Sequence, residues 1–235
     1  MAFEIYKNRC DRIQPEQKRK IGPTRRSVSG LYAFRGETSI AFESTLERDF
    51  LMKSEFDSNV LSITPQPVQV PFIAANGRRY SYTPDYLVFY RIGKNYYGPD
   101  PRPLLVEIKL HEDWAVNWRS YMPKWKAAWR YAQEQYWSFH IYDESRIRDQ
   151  AMTNIRFFER YKRMQFPKEE SQQLVDTVTN MGQSTMDYLL AKHFMGIYRA
   201  EGLAHIWHLI ATRQLDCDIN RPLNNFTEVW IAKYE

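Results

Sequence analysis

Phe42, Leu46 and Phe50 recur every four positions, a spacing that lines one side of a helix and predicts one over 39–60 with Ser44 near its start. From 60 to 72 the run VLSITPQPVQVPF sets β-branched residues among three prolines, which suits an edge strand. Asn76-Gly77 signals a hairpin turn, and it leads into a strand over 81–90 rich in Tyr, Phe, Val and Leu. A turn-rich connector over 91–103 precedes a second apolar strand, LLVEIKL, over 104–110. The next helix is expected to begin near Pro123, because proline fits a first helical turn. Trp118, Trp125, Trp129 and Tyr136, at spacings of seven, four and seven, read as its core stripe. WSFHIYDE, 137–144, gives a fourth strand, and 147–164 another amphipathic helix. The order helix, three strands, helix, strand predicts an α/β domain with a right-handed crossover and part of its sheet in parallel register.

After Pro167 the composition changes. Segments 167–181, 184–194 and 199–212 read as helices, and LDCDIN and TEVWIA as two strands, which together make a winged-helix pattern. Residues 1–35 show no periodicity. The expected organisation is a basic arm over 1–35, an α/β domain over 36–166 and a winged-helix-like domain over 167–235 that docks a protein partner.

Composition narrows the class. The chain is 43% hydrophobic and 26% charged over 235 residues, enough for a full core. No apolar run approaches the ~18 residues of a membrane span, and the opening MAFEIYKNRCDRIQ has no signal-peptide core, so a soluble intracellular protein is expected. Cys10 and Cys217 are too few for a disulfide framework or a cysteine-ligated cluster and read as free thiols. The net charge of +5 is unevenly placed: residues 1–35 carry 9 basic and 3 acidic side chains, 36–164 carry 18 and 16, and 165–235 carry 6 and 9. Lys18, Arg19, Lys20, Arg25 and Arg26 therefore form either an arm that lies on nucleic acid or a solvated tail. The acidic bias after 165 favours a protein partner there at least as much as DNA. His205 and His208, three apart on a helix and near Cys217, fit a zinc site less well than an amphipathic helix, since no fourth ligand is evident.

The sharpest chemical signal lies in 82–109. Side chains two apart share a strand face, so Leu105, Glu107 and Lys109 point one way and Val106, Ile108 and Leu110 the other. With Asp85 on the neighbouring strand, the pattern is P-D, a gap, E-x-K. Carboxylates are the hard oxygen ligands that Mg²⁺ prefers, and a lysine two residues on can orient the attacking water and offset negative charge. The alternative is a Glu–Lys pair on an edge strand with Asp85 as a turn residue. Glu47 also reads two ways: it closes a capping box with Ser44, or it faces Asp85 and completes a metal shell. Arg119, Lys126 and Arg130 flank the tryptophan stripe, as a solvated face or as phosphate contacts.

Glu47 in STLERDF, Asp85 in TPDYLVFY, Glu107-Ile108-Lys109 in LLVEIK and the downstream FHIYDESRI together resemble the TnsA family, the restriction-endonuclease-like subunit of heteromeric transposases. The resemblance covers most of the chain. It implies a PD-(D/E)xK core with Glu47, Asp85, Glu107 and Lys109 as the catalytic set and the three carboxylates as ligands for Mg²⁺, with Mn²⁺ as a substitute. Some members carry glutamine where this sequence has Glu107. The implied reaction is cleavage of double-stranded DNA at transposon 5′ ends in the bacterial cytoplasm, at the nucleoid when assembled. The implied companions are a DDE-type transposase subunit, TnsB, and an AAA+ regulator, TnsC. Two rivals remain at this point: a stand-alone restriction- or repair-type nuclease, and a non-catalytic DNA-binding or assembly module on the same fold.

Overall fold

The computed structural model describes residues 16–18, 28–91, 101–194 and 196–232. They divide into two compact units, residues 1–147 and 148–235. The helix read from the sequence as the end of the first domain therefore falls in the second unit. Arg19, Lys20, Arg25, Arg26 and Cys10 lie outside the described residues. Among the described residues no helix is long and apolar enough to cross a membrane.

The first unit opens with a hairpin where no element, and then a helix, was expected. Strands β1 (Gly30–Phe34) and β2 (Thr38–Phe42) pair antiparallel around Arg35 and Gly36, both at positive φ of 51° and 70°. Ile40 and Phe42 are buried two apart, so the apolar period before Ser44 is that of a strand. Helix α1 (Thr45–Phe56) begins only at Ser44, whose hydroxyl accepts from the Glu47 N–H at 3.1 Å. Strand β3 (Val60–Pro65) follows, and then the hairpin of β4 (Val70–Ile73) and β5 (Arg79–Tyr82), which turns at Asn76-Gly77 with Gly77 at φ 77°.

Strands β6 (Tyr86–Tyr90), β7 (Leu104–Ile108) and β8 (Ser138–Tyr142) join β3 in a four-stranded sheet of order β3-β6-β7-β8. β7 runs antiparallel to β6 and parallel to β8. The chain between β7 and β8 is helix α2 (His111–Glu134), whose length meets the need of a parallel connection. All five residues of β7 are buried, as expected of a strand covered on both faces. On one face Tyr86, Val88, Val106 and Ile108 pack with Leu46, Phe50 and Leu51 of α1 and with Phe34, Ile40 and Phe42 of the first hairpin. On the other, Leu87, Phe89 and Leu105 meet Ala132 of α2 and Trp137.

α2 departs from the expectation in two ways. It starts twelve residues before Pro123, which sits inside it. The start at His111 is fixed from outside: the His111 N–H donates to Glu144 at 2.8 Å, and Asp143 accepts from Trp114 Nε1 at 3.3 Å. The buried stripe is Trp125, Ala128 and Ala132, with Trp114 and Tyr121 partly covered. Trp118, Trp129 and Tyr136 are exposed by 42%, 54% and 78%, so three of the four aromatics assigned to the core flank it instead. Small alanines let α2 lie close on the sheet, a signal that counting aromatics passes over.

After the short helix α3 (Glu144–Ile147), the second unit holds α4 (Gln150–Lys162), α5 (Lys168–Met181), α6 (Met186–His193) and α7 (Arg199–Ala211). Three short strands, β9 (Gln183–Thr185), β10 (Leu215–Cys217) and β11 (Glu228–Ile231), form an antiparallel sheet of order β10-β11-β9. β9 is an addition to the two strands read from the sequence. Trp207 of α7 packs on Phe157 and Phe158 of α4, with ring centroids 5.5 and 5.7 Å away.

Gly202 in α7 faces Phe194, and a Cβ built there would enter the aromatic ring and lie 2.7 Å from the Phe194 Cβ. Alanine's helix propensity would add about 1 kcal/mol, but overpacking against a buried ring costs about 1–3 kcal/mol. Gly202→Ala should therefore lower stability by up to about 2 kcal/mol in urea titration, and a rise in midpoint would show that Phe194 gives way freely.

Candidate active site

Asp85 immediately precedes β6, and Lys109 immediately follows β7. The antiparallel pairing Tyr86↔Val106 sets these two ends beside each other. The Asp85 carboxylate accepts the Ile108 N–H at 2.6 Å, while its own N–H donates to Val106 O at 3.0 Å. Asp85 thus continues the ladder with a side chain in place of a carbonyl, and this fixes where its carboxylate lies.

Glu107 is 2% exposed and on the α2 face, as the alternation along β7 predicts. Its Oε2 accepts the Tyr82 hydroxyl at 2.6 Å, and its Oε1 pairs with Lys124 Nζ of α2 at 3.2 Å. Lys109 is directed the same way, with Nζ 5.9 Å from the centre of the Tyr121 ring. Tyr121 is anchored through its hydroxyl to both oxygens of Asp113, at 3.0 and 3.1 Å. Leu105, Glu107 and Lys109 therefore do share one face.

Glu47 forms the capping box. Its Oε1 accepts from the Ser44 hydroxyl at 2.9 Å and its Oε2 from the Glu43 N–H at 2.8 Å, one residue before the cap. The Tyr86 hydroxyl lies 3.3 Å from the same Oε2 and donates to Ala41 O at 2.9 Å. Tyr82 and Tyr86 thus hold Glu107 and Glu47 by their hydroxyls on either side of Asp85.

The carboxylates feel one another. Burial first, then Glu107, then Glu47 push the Asp85 carboxyl well above its ordinary range, against the opposing Ile108 N–H and Lys109. Burial also raises Glu47, helped by Glu43 and opposed by its hydrogen bonds. Burial alone would lower Lys109, but Glu107 and Asp85 outweigh it, so its ammonium is held more firmly than usual. The Tyr82 and Tyr86 hydroxyls are pushed up by burial and by these same carboxylates, so both remain donors.

Asp85, Glu107 and Lys109 form one electrostatic cluster, and Glu47 reaches it through the field at Asp85. The donors are carboxylate oxygens, the chemistry a hard cation such as Mg²⁺ takes. In the described geometry both oxygens of Glu47 and both of Glu107, and one of Asp85, are engaged within the protein, and no group of three or more His, Cys, Asp or Glu side chains among the described residues stands ready to close on a metal.

The remaining candidates divide. Arg119, Lys126 and Arg130 are exposed along α2. Lys18 is exposed, and its backbone N–H donates to Gln66 O at 3.0 Å, while the Gln66 N–H donates to Asp85 O at 2.7 Å. The Lys18 backbone is thereby tied through Gln66 to the Asp85 backbone. Gln66 is itself buried at φ 45°, a conformation that costs a non-glycine residue free energy and clusters at functional positions. His205, His208 and Cys217 are tied separately: His205 Nε2 to the Ser171 hydroxyl at 2.8 Å, His208 Nδ1 to Tyr161 O at 2.8 Å, and Cys217 in β10 with its thiol pushed up to about 12 by burial.

Sequence reasoning passed over Tyr82, Tyr86, Gln66, Tyr121 and Lys124. The tyrosines at three before and one after Asp85 carried a usable signal, since each falls where a hydroxyl can reach a neighbouring carboxylate. Lys124 did not, because α2 was expected to begin beside it.

Since Asp85 is held above its unfolded range near about 3.9, the folded chain retains a proton there that the unfolded chain releases. Stability from this group is present below the unfolded value and is lost as pH rises through the folded one. Asp85→Asn keeps an oxygen for the Ile108 N–H and cannot ionise. It should melt above the parent at pH 8 and lose that advantage toward pH 4 in parallel thermal scans; an advantage independent of pH would contradict the charge argument.

Two family models match the sequence that builds this site and the unit after it. One, described as TnsA-like endonuclease N terminal, covers residues 57–144 and includes Asp85, Glu107 and Lys109; Glu47 and its helix precede the match. The other, described as TnsA endonuclease C terminal, covers 146–219, and the two meet close to the division between the compact units. Comparison with individual curated proteins gives no match. Together the two models span most of the chain, and with them the chain belongs to the TnsA family of transposase endonuclease subunits.

Proposed function

We propose that this chain is the metal-dependent DNA endonuclease of a heteromeric transposase, nicking at the transposon 5′ ends on a PD-(D/E)xK core. The observation that carries this reading is the cluster of Asp85, Glu107 and Lys109 at the adjoining ends of β6 and β7, with like-charged carboxylates held together in a buried setting. Such a grouping is costly unless a cation or proton relieves it. Asp85 and Glu107, together with Glu47, are the carboxylates that would hold Mg²⁺ or Mn²⁺. When bound, the ion supplies Lewis-acid polarisation of the scissile phosphate and a more acidic water. Lys109, kept protonated by its neighbours, would orient the attacking water and offset the negative charge that develops on the phosphoryl oxygens.

Exposed Arg119, Lys126 and Arg130 repeat along one side of α2 and are the phosphate contacts of the core, and Lys18 with the arm adds to them. These contacts read no bases, so affinity for double-stranded DNA is weak, salt-sensitive and largely independent of sequence. Recognition of the ends then falls to the DDE-type subunit, TnsB.

We read the second unit, with its helices α4 to α7 and three-stranded sheet, as winged-helix-like, and it carries 6 basic against 9 acidic residues over 165–235. Phe226 is 77% exposed and shares a groove with Arg221, Asn224 and Trp230. That surface suits a protein better than a polyanion, and the AAA+ regulator TnsC is the partner we assign to it. The protein acts in the bacterial cytoplasm, at the nucleoid when assembled.

One set of Glu47, Asp85, Glu107 and Lys109 hydrolyses one phosphodiester at a time, so a single chain at a single end nicks. On end-labelled transposon DNA with Mg²⁺, the isolated protein should be nearly inactive and should cut near the 5′ ends once TnsB is present. Asp85→Ala should reduce that nicking by about 10³-fold or more while the circular dichroism spectrum stays that of the parent. Efficient site-specific cleavage by the chain alone would favour a restriction-type nuclease, and unchanged nicking by the variant would remove Asp85 from the site.

A further inference from the structure

Glu107, 2% exposed, has both oxygens committed, to the Tyr82 hydroxyl at 2.6 Å and to Lys124 Nζ at 3.2 Å. The ion pair is made by a lysine from α2, fifteen residues beyond the E-x-K lysine in sequence. Lys124 is held in a cage of rings: its Nζ lies 4.7 Å from the centre of Tyr82, 4.5 Å from Tyr121 and 6.0 Å from Trp125. Three aromatic faces stabilise an ammonium at that place. The Tyr121 ring also carries Lys109 at 5.9 Å, so the two lysines share one anchored ring. The Lys124 side chain remains 17% exposed, which gives the ammonium a way outward along α2.

Two cations cannot share the Glu107 Oε1 at full strength. A divalent ion that takes this oxygen must displace the Lys124 ammonium or weaken its bond, and it works against the repulsion of a positive charge at short range in a poorly screened setting. We propose that Lys124 is the built-in counter-ion of Glu107, a positioning residue that competes with the divalent cation and so sets the affinity of the site. This rests on the nuclease reading above. The competing arrangement is that Lys124 orients Glu107 for the metal; its removal would then weaken binding, the opposite sign.

The test compares the full-length protein with Lys124→Met, which keeps the length and apolar bulk of the side chain without its charge. Mn²⁺ affinity is measured by electron paramagnetic resonance of the free ion, and the melting temperature is followed with and without Mn²⁺. Lys124→Met is expected to bind Mn²⁺ about tenfold tighter or more, to melt below the parent without the ion because Glu107 is left buried and unpaired, and to gain more from Mn²⁺ than the parent does. Lys124→Gln, which offers Glu107 a donor without charge, should show the same direction and carries the test if the methionine variant fails to fold. Equal or weaker Mn²⁺ binding by these variants overturns the inference. Absence of Mn²⁺ binding by the parent at millimolar concentration overturns the nuclease reading first, and this inference with it.

Discussion

The first unit is organised around a debt of solvation. Glu107 is buried in the most covered strand of the sheet and Asp85 adjoins it, and in both places burial works against the charged form of a carboxyl. The neighbouring elements are placed so as to answer that cost. The ladder between β6 and β7 offers the Ile108 N–H to Asp85, the end of β5 brings the Tyr82 hydroxyl, and the middle of α2 brings Lys124. Close passage of α2 over the sheet depends on Ala128 and Ala132, each fully buried. A larger residue at either would lift the helix and draw Lys124 and the Tyr121 ring away from the strand ends.

Much of this was legible in the sequence, and the parts that were not have physical reasons. Period-two alternation put Leu105, Glu107 and Lys109 on one face, because a strand end obeys that period whatever lies around it. The Asn76-Gly77 turn and the parallel pairing across α2 followed from turn chemistry and connection length. The hairpin before α1 was hidden because Phe42 continues by chance the four-residue spacing of Leu46 and Phe50. The start of α2 was hidden because its N-terminus is satisfied by Glu144 and Asp143, more than thirty residues downstream, and local reading cannot see such a cap. Pro123 then looked like a start when it is an interior residue bearing one missing donor.

The site was legible in its members and not in its bonding. Which carboxylates stand together follows from motif and register. The capping box of Glu47 with Ser44 was one of two local readings and is the one formed, but that Tyr86 would join it, and that Glu107 would be taken by Tyr82 and Lys124, depends on rotamers and on elements distant in sequence. The sequence pattern names a set of carboxylates and a lysine, whereas the fold specifies what each of these side chains is bonded to.

The double duty of Glu47 bears on what its presence can testify to. Its carboxylate satisfies the amide before the cap and binds the capping hydroxyl, so a chain that had lost all chemistry would still gain helix stability by keeping it. The Lys109 ammonium caps no helix: it lies over the Tyr121 ring and offsets the charge of Glu107 and Asp85, while the strand end is tied separately by its backbone N–H to Tyr142 O at 3.0 Å, a bond that any residue but proline would make. Glu47 is therefore accounted for by its helix alone, whereas the charge of Lys109 is answered by Glu107 and Asp85 beside it.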